Sequence, residues 1–387
     1  MKILQIIPSI SLVYGGPSQM VLGLSAALAK QGIEVTIITT NTNGDTGQLP
    51  LDVPLGKPIQ QDGYKILYFP CFPFRRYKFS LDLLYWLNHH ASEFDIAHLH
   101  ALFSPVITAA AKVAQYKQLP YILRPLGTLD PADLQKKKLL KIIYVAILER
   151  DNISKAAALH FTTQEEANIS EKFGISTRDL VIPLGVNRLN KKPRNYQVNP
   201  PILRLLFMSR IDPKKGLDLL LPALEKLLAE GVNFKFILAG GNSQLPEYEE
   251  KIRLQIAASP LAKNTTITGF VTGEVKAALL RDADLFVLPS YYENFGIAVA
   301  EAMAAGVAVV ISDKVYIWEE VKQAKAGWVC SLNVDSLTYT LRRALQNDEE
   351  RQKRGDNARK YAEKNYSWEA IACQTIQAYE EILKNQV

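Results

Sequence analysis

The chain is short of cysteine and carries no strong excess of either charge. Its 387 residues include three cysteines, Cys71, Cys330 and Cys373, which are scattered and odd in number. No disulfide framework or metal cluster follows from them, and a reducing, cytoplasmic setting is expected. The net charge is +6, a weak pointer to an anionic substrate or membrane surface that falls short of a nucleic-acid footprint. No window approaches the roughly 20 apolar residues that a membrane span needs. The opening run, residues 1–8, is broken by Gln5 and Pro8 and lacks a clean small-residue cleavage site, so it reads as a buried strand. There is no G-x-G-x-x-G, no internal repeat and no low-complexity tract. Hydrophobic residues make up 48% and charged residues 22%, as in an ordinary globular protein. The length suits two domains.

The most informative stretch is 290–306, S-Y-Y-E-N-F-G-I-A-V-A-E-A-M-A-A-G. It follows an apolar run over 285–288 that reads as a buried parallel strand closed by Pro289 and Ser290. Residues 291–296 form a loop. The spacing predicts a helix over 297–305, ended by Gly306, and a strand over 307–311. Such a loop lies at the carboxyl end of a strand, where open α/β sheets bind ligands, and the first helix amides favour an anion there. Glu293 in the loop and Glu301 in the helix are eight residues apart, roughly 12 Å of rise along one helix. They are therefore not a shared-proton pair. Carboxylates accept hydrogen bonds, so they suit sugar or ribose hydroxyls rather than phosphates. Two solvated polar positions remain an equal alternative on this stretch alone.

Glu293 and Glu301, with Asn294-Phe295-Gly296 between them and Ala302-Met303-Ala304-Ala305-Gly306 after, resemble the E-x7-E motif of retaining glycosyltransferases of family four. The resemblance implies an α/β chain of GT-B fold, two Rossmann-like domains facing across a cleft. The expected division is 1–190 for an acceptor domain, 200–365 for a donor domain, and 366–387 for a helix returning to the first. A polar linker with three prolines over 191–201 marks the boundary.

The first half opens with a strand over 2–7, a loop holding Gly15 and Gly16, a helix over 18–30 and a strand over 35–39. From spacing alone the glycine pair is a tight turn. The resemblance implies that it faces the donor diphosphate, with Gly16 giving an amide. Residues 41–73, rich in Gly, Pro and Asp, read as a long excursion. Arg75, Arg76 and Lys78 precede a helix over 81–90. His98 and His100, two apart on a strand over 95–99 and its end, are expected on opposite faces. A lone His there is commonly a polar strand end, but in the family this end lines the cleft, which makes His100 an acceptor-side candidate. After a strand over 121–123, many family members carry a His. This chain instead has Arg124-Pro125-Leu126-Gly127-Thr128. Arg124 is the candidate to pair with a phosphate or acceptor anion there. Leu126 filling the space is the alternative. A basic amphipathic helix is expected over 134–150, with Lys136, Lys137, Lys138 and Lys141 beside leucines and isoleucines. It could dock on anionic lipid or pack its apolar face internally.

The second half restarts the pattern with strands over 203–208 and 234–239. Arg210 ends the first strand and Lys215 precedes a helix over 217–229. Two cations beside a helix N-terminus can clamp a diphosphate. R-x4-K-G also matches the family's donor-phosphate residues. Gly240-Gly241 suggests close backbone approach to a ligand. Residues 265–269, with Phe270, resemble the segment whose backbone reads the nucleotide base. Asp282-Ala283-Asp284 is formally the D-x-D of the other glycosyltransferase fold, but it lies at the start of a strand and reads as structural. No metal is expected, and the sugar nucleotide is a co-substrate.

The donor-side set is thus Gly15, Gly16, Arg210, Lys215, Gly240, Phe270, Glu293, Asn294, Phe295, Gly296, Ile297 and Glu301. Arg210, Lys215 and Glu293 are expected to act in the reaction. The expected partners are a nucleotide-sugar donor and a glycan or lipid-linked acceptor in surface polysaccharide or glycolipid assembly, with no nucleic acid. A nucleotide-sugar epimerase and a non-catalytic sugar-nucleotide-binding subunit are the alternatives. Acceptor dependence separates the first and donor turnover the second.

Overall fold

The computed structural model describes residues 1–44, 48–72, 77–128, 144, 148–171, 177–189 and 202–385. The expected linker over 191–201, the Arg75–Arg76 pair and nearly all of the expected basic helix over 134–150 lie outside the described residues. The chain divides into two compact units, Met1–Gly185 with Trp368–Val387, and Val186–Ser367.

In the first unit, β1 (Lys2–Ile6), β2 (Glu34–Thr40), β3 (Ile59–Gln61), β4 (Tyr64–Phe69), β5 (Ile96–His100), β6 (Tyr121–Arg124), β7 (Ala158–Phe161) and β8 (Asp179–Val181) make one sheet. Its order is β3-β4-β2-β1-β5-β6-β7-β8, parallel except for β3 against β4. Successive side chains of a strand point to opposite faces. Leu4, Ile6, Leu99 and Leu123 therefore face one layer, with α2 (Leu81–His90) and α3 (Pro105–Tyr116). Ile3, Ile7, Ile96 and Ile122 face the other, with α1 (Gly16–Lys30). Two short helices, α4 (Arg150–Ser154) and α5 (Gln164–Glu171), complete the described part. β3 and β4 correct the expectation of an irregular excursion over 41–73. β3 is three residues long and mostly exposed, so no apolar alternation announces it.

In the second unit, β9 (Leu203–Met208) leads to α6 (Leu217–Ala229), β10 (Phe234–Ala239) to α7 (Pro246–Ala257), and β11 (Thr265–Gly269) to α8 (Gly273–Asp282). β12 (Leu285–Leu288), α9 (Ile297–Ala304), β13 (Ala308–Ser312), α10 (Trp318–Gln323) and β14 (Gly327–Cys330) follow. The unit closes with α11 (Val334–Gln346) and α12 (Asp348–Asn365). The strands pair parallel in the order β11-β10-β9-β12-β13-β14. β12 and β13 are buried along their whole length, which is why they read as unbroken apolar runs. Small residues let α12 come close to the end of α9. A Cβ on Gly355 would lie 2.5 Å from the Gly306 carbonyl oxygen. The chain runs outward from β9 through β10 to β11, then returns to place β12 on the other side of β9. That reversal creates a crevice at the carboxyl ends of β9 and β12, the place where such sheets take ligands.

The last helix, α13 (Trp368–Lys384), belongs to the first unit. The Trp368 indole lies flush on Gly23 of α1 and on Gly185, where an added Cβ would approach it to 2.2 Å and 2.1 Å. Ile371, Ala372, Tyr379 and Ile382 of α13 join the core around Ile3 and Ile96. No helix among the described residues is long and apolar enough to cross a membrane.

Candidate active site

The loop after β9 and the loop after β12 are stitched together at the crevice. Asp212 caps the turn Pro213–Lys215 by accepting from the Lys214 amide. Gly216 then takes a left-handed conformation, φ +71°, and a Cβ there would meet the Pro289 carbonyl oxygen at 2.0 Å. Only glycine lets the two loops approach so closely. The Tyr291 amide donates to the Lys214 carbonyl at 2.8 Å, and the Tyr291 hydroxyl to Asp218 at 2.7 Å. On the far side, the Glu293 amide donates to the Lys314 carbonyl, and the Tyr316 amide to the Glu293 carbonyl, both at 3.0 Å. Ser312 Oγ donates to the Ser290 carbonyl. Phe295 is buried and meets Tyr366 edge-on, with centroids 5.2 Å apart. The loop over 290–296 is thus held by backbone on both flanks and by one aromatic anchor.

Lys215 and Glu293 are brought into direct contact as an ion pair, with side chains only 12% and 22% exposed. Sequence reading gave them separate partners, phosphate for one and a hydroxyl for the other. In the structure each is the other's partner. Arg210 stands exposed at the end of β9, on a loop tied down where Asn242 Nδ2 donates to the Ile211 carbonyl at 3.1 Å. Gly296 caps α9 in the left-handed region, φ +79°, with Asn294 before it and Ile297 beginning the helix. The amides of Gly296 and Ile297 therefore sit at the positive end of the helix dipole.

Glu301, one turn further along α9, pairs with Lys276 of α8. Burial raises its carboxyl pKa, and Lys276 opposes that rise. Lys276 was not anticipated, because its helix follows Thr272-Gly273 and shows nothing in sequence that marks a site residue. Phe270, just past β11, is 79% exposed, a ring free of core duty. Gly240 differs from expectation. Its amide donates to the Gly269 carbonyl at 2.8 Å, and a Cβ would lie 1.8 Å from the Ser209 carbonyl oxygen. Its close approach is to neighbouring backbone, and its N–H is already used. The D-x-D carboxylates both engage Arg204: Asp282 pairs with the guanidinium at 2.8 Å, and Asp284 accepts from the backbone amide at 2.8 Å. No group of three or more metal-ligating side chains occurs among the described residues.

In the first unit, Gly15 has φ +70° and Gly16 begins α1, and nothing lies within 4 Å of a Cβ built on either. Their loop follows β1, at that sheet's own reversal between β1 and β5. The acceptor-side candidates are buried. His100 and Arg124 are 0% and 2% exposed and lie side by side in the β5–β6 register under α13. His100 Nδ1 and Arg124 Nε and Nη2 are buried and have no hydrogen-bond partner among the described residues. His98 and His100 also share one face, with rings stacked at 4.5 Å, because residues two apart on a strand point the same way. These groups form a buried row. His100 bonds Gln5 at 2.6 Å, His98 bonds the Tyr379 hydroxyl at 2.8 Å, and His160 bonds both His98 and the Ile182 carbonyl. Burial, with Arg124 nearby, pushes the His98 imidazole down to about 3, so it is neutral. Its tie to Tyr379 anchors α13. At the same strand ends, Ala101, Phe103 and Leu126 hold positive φ without being glycine.

Two family models match nearly the whole chain: Glycosyl transferase 4-like domain over 15–185 and Glycosyl transferases group 1 over 190–361. An uncharacterized glycosyltransferase of Methanocaldococcus jannaschii is 27% identical over 95% of this chain and 94% of its own length. A phosphatidyl-myo-inositol mannosyltransferase of Mycobacterium tuberculosis is 27% identical over 77% of this chain and 76% of its own. Among solved structures, the HepE protein of Anabaena in complex with UDP and glucose superposes with a TM-score of 0.75 at 18% identity, covering 98% of this chain and 99% of that one. The chain belongs to the group 1 glycosyltransferases, and its fold is GT-B. It is a transferase of glycosyl groups.

Proposed function

We propose that the chain is a retaining glycosyltransferase that takes a sugar from a nucleotide-sugar donor held on the second unit. The acceptor is the hydroxyl of a glycan or lipid-linked saccharide in surface polysaccharide or glycolipid assembly. The observation that carries this reading is the convergence of Lys215, Glu293 and the α9 N-terminus on the reversal between β9 and β12, with Arg210 at the end of β9. As the bond between the anomeric carbon and the diphosphate breaks, negative charge grows on the leaving oxygen. In this reading Arg210, Lys215 and the amides of Phe295 and Gly296 stabilise it. The acceptor oxygen bonds to the same face of the anomeric carbon, and its proton passes to the departing diphosphate. Glu293 accepts from a hydroxyl of the donor sugar, and Glu301 accepts from the ribose. Two side-chain cations and a helix end supply positive charge, which supports transfer without a divalent metal. The UDP in the related HepE structure supports the nucleotide class, and the named mannosyltransferase relative supports a glycolipid setting.

The test is a panel of UDP-, GDP- and ADP-sugars, scored for thermal stabilisation and for slow release of nucleoside diphosphate, with and without EDTA. One sugar nucleotide is expected to raise the melting temperature and to be slowly hydrolysed in EDTA. Stabilisation by none of them removes the donor-site assignment. Binding with no turnover in the presence of glycan or lipid-linked acceptors leaves a binding subunit instead.

A further inference from the structure

Lys276 has no part in the roles assigned above, yet it contacts a central carboxylate of the site. It lies in the first turn of α8, which begins at Gly273, four positions past the end of β11 at Gly269. Its ammonium reaches across to Glu301 Oε1 on α9. This is not a surface pair of negligible worth. The Glu301 side chain is only 16% exposed and Lys276 27% exposed. A carboxylate so placed needs a partner to stay ionised.

We propose that Lys276 is the positioning residue of the nucleoside pocket, holding the Glu301 carboxylate ionised and oriented so that it accepts from both ribose hydroxyls of the donor. The inference rests on the nucleotide-sugar reading above and adds to it a residue outside the E-x7-E and R-x4-K sets. Two hydroxyl donors require an acceptor-only group. A protonated carboxyl keeps one oxygen as a donor and loses that match. Burial alone drives Glu301 toward the protonated form, and Lys276 is the charge that opposes it. By taking Oε1 from the α8 side, the ammonium also fixes the plane of the carboxylate, and it does so without touching the ligand.

The test separates positioning from simple structural support. Binding of UDP, GDP and ADP, and of their 2′,3′-dideoxy counterparts, is measured by calorimetry for the wild type, Lys276→Met, Lys276→Arg and Glu301→Gln. For the nucleotide that binds the wild type, Lys276→Met is expected to weaken the ribose form about tenfold, the scale of one hydrogen bond to a charged group. The dideoxy form should change little. Lys276→Arg should restore most of the loss, and Glu301→Gln should show the same selectivity for the ribose form. Equal weakening of ribose and dideoxy forms by Lys276→Met, or no weakening of either, overturns the inference while leaving the donor site intact. Failure of all three ribose nucleotides to bind the wild type overturns the donor-site reading itself.

Discussion

Lys215→Ala lowers turnover by about 10²–10³-fold, the usual loss when one pre-organised charge is removed from a developing oxyanion. The fold is retained, because the contacts that hold the two loops do not use the Lys215 side chain: the Tyr291 amide on the Lys214 carbonyl and the turn Pro213–Lys215 capped by Asp212. The variant also frees Glu293 from its ion pair, leaving a mostly buried carboxylate at the position proposed for the diphosphate. Repulsion between that carboxylate and the diphosphate adds a loss of donor affinity to the loss of rate. Both kcat and the donor KM are therefore expected to worsen. The check is steady-state kinetics on the donor found by the panel, with circular dichroism and thermal unfolding alongside. Wild-type turnover in a folded variant contradicts the clamp.

Gly216→Ala is expected to destabilise the second unit by about 3 kcal/mol or more. The residue needs φ +71°, and a Cβ would be driven to 2.0 Å from the Pro289 carbonyl oxygen. That atom belongs to backbone between a buried strand and the site loop, so it cannot swing aside as a flexible side chain would. Relief requires the Lys215 turn and the 290–296 loop to move apart. Thermal unfolding should show a drop on the order of 6–12 °C. Nucleoside diphosphate binding should fall with it, since the Lys215–Glu293 geometry depends on the same contact. A variant with unchanged stability and binding would mean that the two loops are not locked together.

Much of the second unit was legible in sequence. β9, β10, β11 and β12 fall on the expected ranges residue for residue, although only β12 is a continuous buried apolar run; β9 and β10 each carry one exposed cation, and β11 alternates. Glu293 and Glu301 stood out because they share one short strand–loop–helix segment with glycines at both ends. What could not be read were contacts made by residues far apart in the chain. Lys276 meets Glu301 across two helices, 25 positions away. Lys215 meets Glu293 across 78. The burial of His100 and Arg124 could not be read either, because it accompanies the return of α13, whose Tyr379 meets His98 from 281 positions away. Gly240 marks close backbone approach, as its type suggests, but the approaching group is Ser209. Residue type indicated that space was tight without saying what filled it.

We propose that the donor diphosphate takes Lys215 over from Glu293. A crystal structure of the chain with its sugar nucleotide tests this most directly. The account predicts Lys215 Nζ turned from Glu293 onto a diphosphate oxygen, Glu293 on a hydroxyl of the sugar, and Glu301 on the ribose with Lys276 still beside it. A sugar nucleotide bound with the Lys215–Glu293 pair intact and the diphosphate held elsewhere would contradict it.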